Sequence, residues 1–282
     1  MNDIIIPNPE KLQEKIEKFK AGGVGNMHVR SNFDGSLTLT YLNGKKLPSI
    51  IARLRQGGGY ISEDYAKKSQ ELSDYYRPIE YDMSITIEEK RAKMLEWWTR
   101  HYALLKEVGL SRQVLDKLTE NERGNFRVGT DTLLKTFHEN GIPMVILSSS
   151  GIGNTIPMFL RKDGLLFDNI SVLTNEVLFD ESGKMTGVAE PIIHSYNKNE
   201  IAISQLPNYA EIEKRTNVLI MGDTLGDLKM VEGFDYDEVI AIGFLIDDVE
   251  KNLEDYKKGY DVVILGDSNM DYVNELMGKI LG

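Results

Sequence analysis

Four short apolar runs in the second half of the chain, at 143–147, 218–221, 239–242 and 262–265, constrain the fold more than any other feature. None alternates with polar residues, and helical stretches separate them. A strand that is apolar on both sides has to be covered on both faces, so the pattern predicts a parallel sheet between two layers of helix. Residues 170–174 read as a further strand, 130–140 and 156–162 as helices, and 176–188 as a hairpin turning at Ser182-Gly183. A closing helix is expected from about Met270.

The first half reads differently. Leu12, Ile16 and Phe19 share one face of a helix over 9–21, which Pro9 opens and Gly22-Gly23 stops. A short strand at Met27-His28-Val29 then runs into Arg30-Ser31-Asn32-Phe33-Asp34-Gly35-Ser36-Leu37-Thr38. From about 46 to 124 the chain looks helical throughout. Ser62 and Thr86 stand where helices would start, and Met94, Leu95, Trp97, Trp98, Tyr102, Leu104 and Leu105 fall at helical spacing. This divides the chain into a first core segment at 1–45, a helical insertion at 46–124 and a second core segment at 125–282.

In a parallel sheet the functional loops lie at the carboxyl ends of the strands. Those ends carry Asn32 and Asp34, then Ser148-Ser149-Ser150-Gly151-Ile152-Gly153, then Gly222-Asp223-Thr224-Leu225-Gly226-Asp227, with Lys198 between the last two. Each type suits a phosphate site. Hydroxyls and amides of a Ser/Gly loop cradle phosphate oxygens. A lysine neutralises charge on a phosphoryl group. Paired carboxylates hold a hard cation such as Mg²⁺. Singly, each has an ordinary structural explanation: a helix N-cap for the serines, a solvated side chain for Lys198, a turn cap for the aspartates. Their order and common placement at strand ends point to phosphate.

That order, with Asp34-Gly35-Ser36-Leu37-Thr38 first and Gly222 to Asp227 last, resembles the haloacid dehalogenase superfamily with a cap inserted after the first motif. Further stretches resemble the cytosolic 5′-nucleotidase type III (pyrimidine 5′-nucleotidase) family: Pro78 to Asp82, Glu88-Glu89-Lys90, Glu96 to Thr99, Asn197-Lys198 and Tyr260 to Val263. The similarity runs from about residue 27 onward. It implies a doubly wound α/β core with a helical cap, and a Mg²⁺-dependent 5′-nucleotidase that hydrolyses nucleoside 5′-monophosphates, pyrimidines favoured, through an aspartyl-phosphate. Position by position, it puts the nucleophile at Asn32 and the acid/base at Asp34. The phosphate would lie at Ser149, Ser150 and Gly151, with Lys198 stabilising its charge. The metal falls to Asn32, the Asp34 carbonyl, Asp223 and, in support, Asp227. In the cap, Glu80 matches a base-contacting glutamate and Trp98 a base-stacking aromatic, although cap core is an equally simple role for an indole.

Asn32 departs from the family pattern. An amide oxygen is neutral and a poor nucleophile, where the aspartyl-phosphate scheme needs a carboxylate. Arg30 and Ser31 are also unusual at the end of a central strand, which is normally apolar. An impaired nucleotidase is therefore expected. The alternatives are a nucleotide- or phosphate-binding protein without turnover, or a phosphatase for another small phosphate ester. The formal charge of −11 argues against nucleic acid as a partner. The absence of cysteine excludes disulfides and thiolate metal sites. Neither a signal-peptide pattern nor an apolar run near the roughly 20 residues of a membrane span is present. A cytoplasmic protein with a small-molecule partner is expected.

Overall fold

The computed structural model describes residues 3–55, 59–82 and 84–282. Strand β1 (Ile4–Ile5) leads into helix α1 (Pro9–Gly22), whose N-cap Asn8 accepts the Lys11 amide at 2.9 Å. Leu12, Ile16 and Phe19 are the buried face of α1, each contributing about 1.5–3 kcal/mol of apolar burial. Strand β2 (Met27–Ser31) is followed by a small hairpin of β3 (Tyr41–Leu42) and β4 (Lys45–Lys46). Four helices follow: α2 (Ile50–Arg55), α3 (Glu63–Tyr81), α4 (Ile87–Glu107) and α5 (Arg112–Asn121). Ser62 and Thr86 cap α3 and α4, accepting the amides of Tyr65 and Glu89.

Beyond α5 the chain alternates as its apolar runs require. It comprises α6 (Thr130–Glu139), β5 (Met144–Ile152), α7 (Thr155–Lys162), β6 (Ile170–Asn175) and the hairpin β7 (Val177–Phe179) and β8 (Met185–Val188). Short helices α8 (Glu200–Ile203) and α9 (Tyr209–Ile212) precede β9 (Asn217–Gly222). Then come β10 (Glu238–Leu245), α10 (Val249–Gly259), β11 (Val262–Leu265) and α11 (Asp271–Leu281).

Seven strands form one sheet in the order β1-β11-β10-β9-β2-β5-β6. All neighbours are parallel except β1, which pairs antiparallel with β11 at the edge. Alternate residues of each strand feed two separate cores. Val29, Ile146, Leu219, Ile242 and Ile264 join α1, α6 and α11 on one face. Val145, Leu147, Val218, Ile220, Ala241 and Val263 meet α8, α9 and α10 on the other. The mixed α/β architecture with a mostly parallel sheet is the one expected. Four features escaped the sequence reading: β1, which is two residues long, the hairpin at 41–46, where the expected helical texture does not yet begin, and the short helices α8 and α9. Among the described residues no helix is long and apolar enough to cross a membrane.

The polar residues of β2 find their place on the second face, where His28 and Arg30 lie in register with Val218 and Ile220. Arg30 Nε donates to His28 Nε2 at 2.8 Å, and Nη1 donates to the Met230 carbonyl at 2.5 Å. Its guanidinium lies 4.4 Å over the Phe234 ring. The acceptor role of His28 Nε2 fixes the tautomer, so Nδ1 carries the hydrogen donated to the Arg215 carbonyl at 2.6 Å. A buried charge needs partners of this kind.

Candidate active site

The chain passes from β2 to β5 on one side and returns to β9 on the other, so the order reverses at the carboxyl end of β2. That is where an open α/β sheet leaves a crevice. Asn32, the first residue beyond β2, is buried, its backbone N–H donating to the Met221 carbonyl at 2.9 Å. Gly35 turns the loop with φ +74°, and a Cβ there would stand 2.7 Å from an Asp223 carboxylate oxygen. Both facts demand glycine. The same loop is clamped by Arg127, a fully buried guanidinium that sequence reasoning did not single out. It donates to the carbonyls of Ser36 (2.9 Å), Gly35 (2.6 Å) and Ser268 (2.5 Å) and pairs with Asp267 at 3.1 Å. No local signal distinguishes Arg127 from a surface arginine, because its partners are distant in sequence.

Lys198 reaches the same point from the loop before α8. It is 4% exposed, and its Nζ donates to Asn32 Oδ1 at 2.9 Å and to Asp227 Oδ1 at 3.1 Å. The Asn32 amide nitrogen donates to the Asp34 carbonyl at 2.8 Å and to Asp223 Oδ1 at 2.5 Å. Asp227 spends its other oxygen on its own loop, accepting the amides of Asp223 (3.2 Å) and Thr224 (3.0 Å) and the Thr224 hydroxyl (2.9 Å). Both Asp227 oxygens are therefore taken, and it supports Lys198 and the turn. Tyr256 and Tyr260 brace this turn from α10 and its C-cap, donating to the carbonyls of Asp223 and Thr224.

The serine loop supplies the opposite wall. Between Leu147 and Ile152 the β5–β6 register slips, releasing residues 148–151 from the ladder. Ser150 Oγ donates to the Asp34 carboxylate, and Ser148 Oγ accepts the Gly151 amide at 3.0 Å. Ser149 is half-buried, and its carbonyl accepts from Asn175 Nδ2 at 3.2 Å. A Cβ on Gly151 would meet Thr174 at 2.5 Å, so this bend too requires glycine.

Burial raises the pKa of Asp34, against the lowering effects of the Ser150 hydroxyl and the charges of Arg53 and Lys198. Asp223 is lifted to about 7, first by burial and then by Asp227 beside it, with Lys198 and Asn32 offsetting part of the rise. Shifts of this kind mark a site that stores electrostatic cost for a ligand to relieve.

Helix α3 brings Glu80 to the same end of the sheet. Glu80 lies in reach of Ser195, Lys198 and Lys90, and burial raises its carboxyl pKa. Tyr196, two residues before Lys198, donates its hydroxyl to the Glu80 carbonyl at 2.6 Å and receives Lys90 Nζ at 3.1 Å. Arg91 donates to the Tyr196 carbonyl at 3.0 Å. Trp98 is 8% exposed, within an aromatic ladder of Trp97, Trp98 and Tyr102 with centroids 5.8–5.9 Å apart. His101 stands beside it and hydrogen-bonds Tyr65 at 3.0 Å. Tyr65, Tyr196 and His101 were not singled out from the sequence, where each reads as an ordinary core or loop residue.

Phosphatases of this fold generally use Mg²⁺. The residues present do not fit that ion as they stand. Mg²⁺ takes oxygen ligands in a near-ideal octahedron, whereas the Asp34 carbonyl and Asp223 both face the Asn32 NH₂ group. Among the described residues no group of three or more His, Cys, Asp or Glu side chains is arranged to hold a metal.

The model of the pyrimidine 5′-nucleotidase (UMPH-1) family matches residues 36–281. The 7-methylguanosine phosphate-specific 5′-nucleotidase A of Xenopus laevis is 35% identical over 271 residues, covering 96% of this chain and 93% of the relative. The Homo sapiens 7-methylguanosine phosphate-specific 5′-nucleotidase is 33% identical over 279 residues, covering 99% and 92%. Among solved structures, cytosolic 5′-nucleotidase IIIB bound to cytidine superposes with a TM-score of 0.87 at 28% identity, covering 99% of this chain and 93% of that one. A probable phosphoserine phosphatase from Vibrio cholerae shares the fold alone, with a TM-score of 0.55 at 15% identity and coverage of 93% and 67%. By the family match and by relatives aligned over nearly its whole length, the chain belongs to the pyrimidine 5′-nucleotidase (UMPH-1) family of phosphoric monoester hydrolases, on the haloacid dehalogenase fold.

Proposed function

We propose that this chain binds nucleoside 5′-monophosphates beneath a helical cap spanning about 46–124, on a core laid out for 5′-nucleotidase chemistry that Asn32 impairs. The observation that carries the reading is the convergence of Lys198, the Asp34 carbonyl and Asp223 on one residue, Asn32, with the serine loop joined to the same cluster through the Asp34 carboxylate. An ammonium has three protons. Lys198 uses two on Asn32 and Asp227, leaving the third for a phosphoryl oxygen. The loop at 148–151, freed from the ladder, supplies hydroxyls and amides for the remaining oxygens. Asp34, with its pKa raised, keeps a proton to higher pH than an ordinary carboxyl and can deliver it to the departing 5′-oxygen. What is missing is the carboxylate that attacks phosphorus. Covalent turnover and the Mg²⁺ dependence that accompanies it belong to the Asn32→Asp form.

At the base end, Trp98 and Glu80 supply a stacking face and a hydrogen-bonding carboxyl. Base stacking on an aromatic is worth about 1–3 kcal/mol. The match to the pyrimidine 5′-nucleotidase family and to a relative bound to cytidine supports a pyrimidine base.

Phosphate release from CMP, UMP, AMP and 7-methyl-GMP, by the chain and by Asn32→Asp, tests the reading. The aspartate form is expected to turn over CMP and UMP at least about 10³-fold faster, the scale on which loss of a nucleophile is felt. Equal activity in both forms refutes the nucleophile assignment. Binding of CMP without release in either form favours a second reading, a nucleotide-binding protein without turnover, to which the amide at 32 already points. A preference indifferent to replacement of Glu80 and Trp98 favours another small phosphate ester.

A further inference from the structure

The orientation of the Asn32 amide is fixed by its neighbours. Oδ1 faces Lys198 Nζ, which can only donate. Nδ2 faces the Asp34 carbonyl and Asp223 Oδ1, which can only accept when Asp223 is ionised. Turning the amide over would set NH₂ against an ammonium and oxygen against two oxygens. Both hydrogens of the amide are therefore spent, one on each acceptor. These acceptors, with residue 32, are the groups that the family resemblance implies would hold a divalent cation. An N–H group cannot ligate a cation, and it already satisfies the two oxygens electrostatically without bringing a net charge.

We propose that the Asn32 carboxamide stands in place of the divalent cation, so that this chain takes up no Mg²⁺ and holds a phosphate through Lys198 and the serine loop alone. The charge balance agrees with the geometry. An aspartate at 32 would set four carboxylates, at 32, 34, 223 and 227, around one lysine, and the cluster would need a cation. The amide removes one negative charge and adds two donors, so Lys198 and the Asn32 N–H groups hold the loops together without an ion. The half of the proposal that concerns phosphate rests on the nucleotide-binding reading above; the half that concerns the metal does not.

Mn²⁺ uptake, followed by electron paramagnetic resonance on the ligand-free protein, separates the two. The chain is expected to bind Mn²⁺ at least about 100-fold more weakly than Asn32→Asp, the upper end of what loss of a supporting group costs a metal site. Addition of Mg²⁺ should raise the Tm of Asn32→Asp and leave that of the chain unchanged. Asn32→Ala uncovers the Asp34 carbonyl and Asp223 without adding a charge, and should also take up Mn²⁺ more tightly than the chain if Asn32→Asp folds poorly. Affinities within about threefold in the chain and the folded variants, or uptake in none of them, overturn the proposal. In a second arm, the Kd of the chain for CMP is measured in Mg²⁺ and in EDTA. Equal values are expected, and a tenfold loss in EDTA overturns the proposal. Failure of CMP to bind under either condition counts against the nucleotide reading and leaves the metal result standing.

Discussion

Two charged clusters lie side by side, one on a face of the five-residue strand β2 and one just beyond its carboxyl end, and they are built to opposite purposes. At the buried face of β2, Arg30 gives its protons to His28 and the Met230 carbonyl and stacks on Phe234. His28 is held neutral, its pKa lowered to about 3 by burial and then by the Arg30 charge. At the carboxyl end, Lys198, Asn32, Asp34 and Asp223 also meet, but two carboxyls there have raised pKa values and the loops around them have left the sheet ladder. The first cluster spends its hydrogen bonds on the fold. The second keeps part of its capacity in reserve, as a site must if a ligand is to gain by binding. A buried charge is thus not evidence of function in itself; the partners decide.

The widest gap between the clusters should appear on deleting the cation of each. Arg30→Met leaves His28 Nε2 and the Met230 carbonyl without a donor and is expected to cost about 2–6 kcal/mol of stability, about 1–3 kcal/mol for each buried acceptor left unsatisfied. Urea unfolding measures it, and CMP affinity of the molecules that remain folded should be unchanged. A loss of less than about 1 kcal/mol would remove the structural role given to the strand face. Lys198→Met is the counterpart. CMP affinity should fall about 100-fold, or about 2.7 kcal/mol, while the unfolding midpoint also falls, because Asp227 keeps its three loop donors but loses its buried cation. Calorimetry and the same urea curve together test this, and unfolding without loss of affinity would exchange the roles of the two clusters.

Acid sharpens the comparison. A histidine with a folded pKa of about 3 against about 6.5 unfolded takes up a proton only on unfolding between those values. Its contribution is complete above pH 6.5 and is lost as pH falls, by about 1.4 kcal/mol per pH unit. His101, also lowered to about 3 by burial, adds a second such slope. His28→Gln should flatten the dependence of unfolding free energy on pH between 6 and 4 by one histidine's share, and an unchanged slope would show that His28 is not held neutral. The smallest effect belongs to the cap. Trp98→Leu should weaken CMP about tenfold and leave inorganic phosphate binding unaltered; equal losses for both ligands would make Trp98 core alone.

Much of the fold was legible along the chain. The runs at 143–147, 218–221, 239–242 and 262–265 all became strands of the parallel sheet because an element apolar on both sides has nowhere else to go. The two-residue β1 was not legible, since it is a strand only by virtue of the β11 edge it completes. Arg30 and Ser31 looked out of place because pattern rules score a residue by its neighbours along the strand. Arg30 was explained by His28, Met230 and Phe234, and the Ser31 hydroxyl by the Asn32 carbonyl it meets at 2.7 Å.

The sequence by itself determined the residue types, their order and their placement at strand ends, because backbone periodicity and loop position are local properties. Only the tertiary structure decided what each one does. Asp227 emerged as the support of Lys198, Arg127 as the clamp of the Gly35 loop, and Asn32 as the donor between two oxygens otherwise suited to a cation. These roles depend on distances of about 3 Å between residues as much as 191 positions apart. A hydrogen bond is set by such distances, and no spacing along the chain contains them.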